Sequence, residues 1–307
     1  MIRGLAVAAL LALAGGASAQ SVEDLQRQLK ERDAKIRELS ERIEALEKKA
    51  EPDDELNRAL ERTLVQQGAL LLRQGVYEVQ PQLGYSHWDK DRSALHHQTD
   101  LSLGARVGLP WDAQFQVRVP YVHVATAAGS ATALGDIDLA LSRQLGREDG
   151  YWPGTFVALG WTSRTGRDGF DGSVPTGGGF NVLQAALTAV KRQDPMVYYG
   201  TLSYADPRAR VLEGSRVDPG STTGLRFGGI LAATPETSIS LGVDLGFVGD
   251  SRVDGQPVPG TDAVLGTLQI GFAAIVTRSL MFSLNGDFRF SGNVPNFRLT
   301  LALPIRF

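Results

Sequence analysis

The chain of 307 residues contains no cysteine. Structural disulfides and cysteine-ligated metal sites are thereby excluded. It also lacks a dominant charge: 31 Lys and Arg against 34 Asp and Glu leave a formal net charge of −3. That balance gives no electrostatic case for a nucleic-acid or polyanion partner. Long apolar runs are missing beyond the first nineteen residues. No later stretch reaches the ~20 residues a membrane-spanning helix requires. If the mature chain enters a membrane, it must do so as a closed barrel. The 35 glycines and 14 prolines are too many for a helical bundle, and they follow no collagen period.

What is present begins with an export signal. Met1–Ala19 has Arg3, then the run LAVAALLALAGG, then Ala17-Ser18-Ala19. These read as the charged, apolar and cleavage regions of a signal peptide over residues 1–19, with the mature chain starting at Gln20. The run is too short to serve comfortably as an anchor.

Residues 20–51 repeat apolar positions every 3.5 residues. With Val22 as a, the a positions are Val22, Leu29, Ile36, Ile43 and Ala50, and the d positions are Leu25, Arg32, Leu39 and Leu46. Only Arg32 breaks the seam, and the other faces are nearly all charged or Gln. The pattern predicts an α-helical coiled coil in the periplasm. Arg42-Ile43-Glu44-Ala45-Leu46-Glu47 matches a short trimerisation motif, with Arg42 at g forking toward Glu47 at e of a neighbour. A homotrimer through Ile36, Leu39, Arg42, Ile43, Leu46 and Glu47 is therefore expected. Ile at a with Leu at d also suits a dimer, and a solitary solvated helix is the remaining alternative.

Residues 52–74 form the next segment. Pro52 ends the coil, and Asp53 or Asp54 caps a new helix. Leu56, Ala59, Leu60, Thr63 and Leu64 share one face, while Asn57, Arg58, Glu61 and Arg62 share the other. Gly68 stands where such a helix stops, and Ala69-Leu70-Leu71-Leu72 leads as a linker to Gly75. The helix is about 14 residues or ~21 Å long. Leu56, Leu60 and Leu64 are expected against an apolar wall, with Arg58, Glu61 and Arg62 toward lumen charges.

From Gly75 to Phe307 the period becomes two. About twelve strands of membrane-crossing length follow. Connections alternate between short ones, such as Pro110–Asp112 and Thr234–Thr237, and long ones, such as His123–Leu134, Arg164–Phe180 and Ala205–Thr222. Short turns at one rim and long loops at the other predict an all-β outer-membrane barrel of about 12 antiparallel strands over residues 75–307. An even number puts both barrel ends at the periplasmic rim. Phe307 closes a strand with aromatic or aliphatic residues at every second place, the signal read by the outer-membrane barrel assembly machinery. The expected location is the outer membrane of a Gram-negative bacterium, with outer-membrane lipid around the wall. The polar face supplies Glu78, Asp100, Arg106, Arg118, Asp136, Asp138, Arg226, Asp244, Asp287, Arg289 and Arg298 as pore-lining candidates. Neither sign dominates, so a strongly ion-selective filter is not indicated.

Catalytic chemistry finds little footing. A lipid hydrolase on this scaffold needs a Ser and a His together. His87, His97 and His123 share the lipid-facing parity, and Ser86, Ser93 and Ser203 are the nearest hydroxyls, none in a nucleophile setting. His96-His97 has no further ligand cluster with it. Thr176-Gly177-Gly178-Gly179 lacks the Lys-Ser/Thr of a phosphate loop and reads as a flexible loop. No enzyme activity, cofactor or metal is expected.

The stretches Asn57-Arg58-Ala59-Leu60-Glu61-Arg62-Thr63-Leu64, Gly68-Ala69-Leu70-Leu71-Leu72 and Tyr77-Glu78-Val79-Gln80-Pro81-Gln82-Leu83-Gly84-Tyr85-Ser86-His87 resemble the plug-to-first-strand region of the functional-amyloid (Fap) secretion channel. The barrel is also similar to the broader outer-membrane transporter family named for a meta-pathway phenol-degradation protein, through Arg118-Val119-Pro120-Tyr121 and Gly135-Asp136-Ile137. The resemblance implies a trimer of twelve-stranded barrels, a periplasmic coiled coil, a helix occluding each pore, and passage of unfolded amyloid subunits. The leading expectation is thus a helix-plugged export channel. The alternative is an uptake channel for small or apolar nutrients such as aromatic compounds, in which the helix is a spacer and the lumen or a lateral opening binds the solute. A third reading is a structural protein whose coil tethers the barrel to the cell wall.

Overall fold

A computed structural model of the chain describes Arg32, Lys35, Ile36 and residues 71–89, 95–277 and 279–307. Arg32, Lys35 and Ile36 are helical. Leu39, Arg42, Ile43, Leu46 and Glu47 of the coil lie outside the described residues, as do Leu56, Arg58, Leu60, Glu61, Arg62 and Leu64 of the predicted plug helix.

The strands, in chain order, are β1 (Tyr77–His87), β2 (Leu95–Leu109), β3 (Ala113–Thr126), β4 (Gly129–Leu134), β5 (Asp138–Gly146), β6 (Gly154–Thr162), β7 (Val182–Gln193), β8 (Met196–Pro207), β9 (Arg210–Leu212), β10 (Ser215–Asp218), β11 (Thr222–Ala232), β12 (Thr237–Val248), β13 (Arg252–Val253), β14 (Gln256–Pro257), β15 (Ala263–Ile275), β16 (Met281–Ser291), β17 (Phe297–Ala302) and β18 (Ile305–Arg306). All pairings are antiparallel. The order β17-β16-β15-β12-β11-β8-β7-β6-β5-β3-β2-β1 closes on itself because β1 also pairs β17, with Tyr85 opposite Leu299. Counting the interrupted pair β17/β18 as one, the wall is a closed twelve-strand barrel. Both barrel ends meet at one rim, where Phe307 N–H donates to Tyr77 C=O at 2.8 Å.

Period-two alternation explains the wall. Leu83, Leu101, Leu103, Leu141, Leu202, Leu241 and Ile270 are exposed on the outer surface. Their inward neighbours Ser86, Asp100, Ser102, Gln114, Ser238 and Ser283 are buried. That is the inverse of a water-soluble barrel, and it suits a hydrocarbon surround. Exposed Tyr77, Trp111, Tyr151, Trp152 and Tyr198 ring the short-turn rim, and exposed Tyr85, Tyr121, Trp161, Tyr204 and Phe290 ring the other. Eight residues separate Tyr77 from Tyr85. At ~3.4 Å per residue and ~40° tilt, the rows stand roughly 20 Å apart, close to the height of an outer-membrane apolar band.

Several expectations need correction. The span His123–Leu134, read as a long loop, is an extended hairpin in which β3 continues to Thr126 and pairs β4. Outer-leaflet geometry does not require loops to begin where the wall ends, and a hairpin carries the ladder onward. The loops Ala205–Thr222 and Gly249–Asp262 hold β9, β10, β13 and β14, which form a separate four-stranded sheet. The last strand is broken at Leu303-Pro304, since proline has no N–H for the ladder, yet Arg306 still turns inward. The β15–β16 ladder shifts register between Gly266 and Thr267, where Phe290 of β16 is passed over.

Candidate functional site

The inward side chains come from successive even or odd positions and therefore stack into a lumen lining. Its charges are paired across adjoining strands or, for Arg298 and Asp100, across β1. Arg118 donates through Nε and Nη2 to Asp138 Oδ2 at 3.0 and 2.7 Å, and Thr162 Oγ1 donates to Asp138 Oδ1 at 2.6 Å. Arg226 forks in the same way onto Asp244 Oδ2 at 2.9 and 2.6 Å. Arg298 reaches Asp100 at 3.2 Å and stands opposite Asp287 in the β16–β17 register. Arg106 Nη2 lies 2.6 Å from Glu78 while directing an N–H to Gln80 Oε1 at 2.7 Å. Arg289 donates to the Val294 carbonyl at 3.3 Å. Arg306, on the polar face of the last strand but outside the pore-lining candidates, reaches Glu78 at 3.3 Å. These pairs leave a lining with abundant donors and acceptors and a balanced field.

Two cavities follow from this lining. One, of about 220 Å³, is bordered by Gln80, Gln82, Tyr199, Arg226, Gln269, Asn285, Asp287 and Thr300. The other, of about 310 Å³, lies toward the long loops between Asp100, Arg118, Asp138 and Arg298 on the wall and Pro175–Gly178 of the loop 163–181.

That loop is tied to the wall by Asp136. Asp136, expected with Asp138 among the pore-lining charges, sits in the break between β4 and β5 and borders the larger cavity. Its carboxylate accepts N–H bonds from Gly166 at 2.8 Å and Gly178 at 2.6 Å. Thr176 Oγ1 donates to Leu134 C=O at 3.1 Å, and Thr165 Oγ1 to Gly135 C=O at 2.8 Å. A Cβ on Gly177 would fall onto the Asp136 carboxylate. The run Thr176–Gly179, read as a flexible loop, is therefore the glycine-rich cradle of a wall carboxylate. The signal was visible only as glycine without a lysine.

The same break interrupts the wall. β3 pairs β5 through Arg118 and then pairs β4 from Tyr121 onward. β6 ends at Thr162. Among the described strands only β3 pairs with β4, so above the break no described strand adjoins the other edge of β4. The segment 163–181 bridges from this break to the loops beyond β8, where Arg210 meets Asp168 at 2.6 Å and the Gly179 carbonyl at 3.1 Å.

At the short-turn end the lining turns apolar. Phe156, Val190, Val197, Tyr199, Ile230 and Ala232 form one buried cluster on β6, β7, β8 and β11, with Leu71 packed against it. Val197 and Ile230 are 0% exposed. Leu72, 4% exposed, donates its N–H to Gln114 Oε1 at 2.9 Å. Gly75 N–H donates to Gly108 C=O and Gly108 N–H to Val76 C=O, both at 3.0 Å. The Arg73 carbonyl lies where a Gly108 Cβ would be. The linker residues 71–73 thus run inside the mouth, from the β2–β3 wall to the apolar cluster.

Of the hydroxyls weighed against the histidines, Ser93 lies outside the described residues. Ser86 is buried on the inner face while His87 next to it lies on the outer face, and Ser203 lies inward beside Gly224. Among the described residues no three His, Asp or Glu gather as a metal centre.

No family model matches the chain, and no curated protein matches it. Solved structures do. The COG4313 outer membrane channel from Pseudomonas putida F1 aligns with a TM-score of 0.63 and 16% identity, covering 78% of this chain and 97% of that one. The NanC porin aligns at 0.47 and 6% over 75% and 98%, and the KdgM porin at 0.43 and 8% over 75% and 98%. At 16% identity the alignment with the first of these is a likeness of fold alone, that of a closed β-barrel.

Proposed function

We propose that this protein is an outer-membrane channel stoppered at its periplasmic mouth by its own N-terminal segment. The observation that carries the reading is the seating of Leu71 and Leu72 inside the short-turn mouth, against an inward apolar cluster. Water-filled lumens are lined by polar groups. An apolar patch facing inward calls for an apolar partner, and Leu56, Leu60 and Leu64 of the helix expected from the sequence just upstream would supply one. Seating Leu72 contributes about 2 kcal/mol by burial, and its bond to Gln114 about 1 kcal/mol. Roughly 3 kcal/mol is a bias near 100-fold, strong enough to close a pore and weak enough to release. Deleting residues 53–67 raises single-channel conductance in planar bilayers. Unchanged conductance sinks the stopper.

Two cargoes fit this channel. The resemblance of the plug region to the functional-amyloid secretion channel favours export of unfolded polypeptide by a trimer held through the periplasmic coil. The wall break at β4 favours uptake of small or apolar solutes, since a solute arriving through the membrane has an entrance there. Liposome swelling by small solutes without export of a secreted polypeptide selects uptake. Export that requires the open pore selects secretion. Crosslinking of Ile36 and Leu39 cysteine variants into trimers tests the assembly.

A further inference from the structure

All 4 histidines of the chain fall between residues 87 and 123, on the first three wall strands. His87 and His97 stand directly opposite one another in the β1–β2 register. They lie on the outer face at the long-loop rim. Their Nδ1 atoms are 3.1 Å apart, and their rings stack with centroids 5.0 Å apart. Tyr85 Oη lies 3.0 Å from His97 Nδ1. Phe297 packs against both Tyr85 and His87. The other two histidines are engaged differently. His123 Nδ1 meets Thr132 Oγ1 at 2.7 Å, and the His96 ring stands edge-on to His97 with centroids 6.4 Å apart.

A ring nitrogen carries either one lone pair or one proton. Two protonated imidazoles would set their Nδ1–H groups head-on at this distance, so the pair holds at most one proton between the two atoms. An anion site would need both N–H groups aimed outward at a shared oxygen, and this geometry opposes that. A divalent cation that displaces the shared proton would instead meet two nitrogen lone pairs 3.1 Å apart. With metal–nitrogen bonds of about 2.0–2.1 Å, two ligands stand roughly 2.9 Å apart at a right angle and roughly 3.4 Å apart at a tetrahedral angle. The observed separation falls between these.

We propose that His87 and His97 form a two-imidazole site for a divalent transition metal on the outer rim of the barrel, with Tyr85 Oη beside it and the remaining positions open to water. Imidazole donors suit Cu²⁺, which stands highest in the general affinity order of the divalent metals. Two ligands make a capture site rather than a closed four-ligand cage. The ion would also clip β1 to β2 beside the seam where the barrel closes, so binding stabilises the folded wall.

The test uses the untagged full chain in detergent, incubated with Cu²⁺ and desalted. One copper per chain is retained, and its electron paramagnetic resonance spectrum carries coupling to two nitrogens. His87→Ala and His97→Ala each reduce retained copper to background, while His96→Ala and His123→Ala keep it. Heat-modifiable migration on gels shows that each variant barrel is folded. Copper retained undiminished in His87→Ala/His97→Ala, a single-nitrogen spectrum, or no copper above buffer level in the unaltered chain overturns the site.

Discussion

The Leu72 N–H donates to Gln114 Oε1 at 2.9 Å, and both residues are buried. A polar group on the wall thus holds the main chain of the linker inside the mouth, while Leu71 next to it packs on apolar wall residues. Removing the acceptor leaves a buried N–H without its partner, which costs about 1–3 kcal/mol. Gln114→Ala should therefore convert a steadily closed pore into one that flickers, seen as brief openings in planar-bilayer recordings. Gly108→Val should act in the same direction through space alone, because its side chain would occupy the position of the Arg73 carbonyl. A silent trace from both variants would show that the linker does not control the pore.

The Arg118–Asp138 fork sets the field on the long-loop side of the lumen. Arg118→Ala leaves Asp138 with Thr162 but without its cation. The lumen field then becomes more negative and the channel turns cation-selective. Asp138→Ala gives the opposite sign. Reversal potentials in a salt gradient should move to opposite sides of the wild-type value for the two variants. The shift should be smaller in 1 M salt, where the screening length is only ~3 Å.

Asp136 anchors the segment 163–181 through its bonds to Gly166 and Gly178. Asp136→Ala removes two charge-assisted acceptor bonds in a partly exposed setting, a loss of about 2 kcal/mol. That corresponds to roughly 30-fold more frequent release of the segment. Trypsin cleavage after Arg164 or Arg167 in reconstituted protein should accelerate accordingly. Under the uptake reading, flux of apolar solutes should rise with it.

The outer loops carry a pH dependence at Asp168. Arg210, donating to it at 2.6 Å, holds its carboxyl below the ordinary value of 3.8, and the Phe170 N–H adds to this. A carboxyl depressed in the folded chain contributes at every pH above its ordinary value, and that contribution is lost as pH falls through the depressed one. The contact between the segment 163–181 and Arg210 should hold from neutral pH down to about 4 and loosen below it. A spin label at Ser173 should report this as faster motion only in that acid range. Arg210→Ala should make the motion fast at neutral pH as well.

The alternation of Tyr77 with Glu78, or Leu101 with Asp100, was enough to read a strand with two unlike faces, and the terminal Phe307 with the loop asymmetry was enough to read which face meets lipid. Period two is a local property, so it survives in the bare sequence. The hairpin β3–β4 was not legible, because its residues Gly129–Leu134 alternate weakly and no sequence rule says that a strand changes partner at Gly135. Gln114 looked like any inward amide.

The amino-acid order by itself determined the number of wall strands and their inner and outer faces, since both rest on spacing along one chain. The tertiary structure alone decided that Asp136 holds a glycine loop, that the wall breaks beside β4, that Leu71 and Leu72 lie in the mouth, and that His87 faces His97. Those relationships join residues far apart in sequence or on separate strands, and closure of the barrel, which sets register around the whole ring, is what brings them within bonding distance.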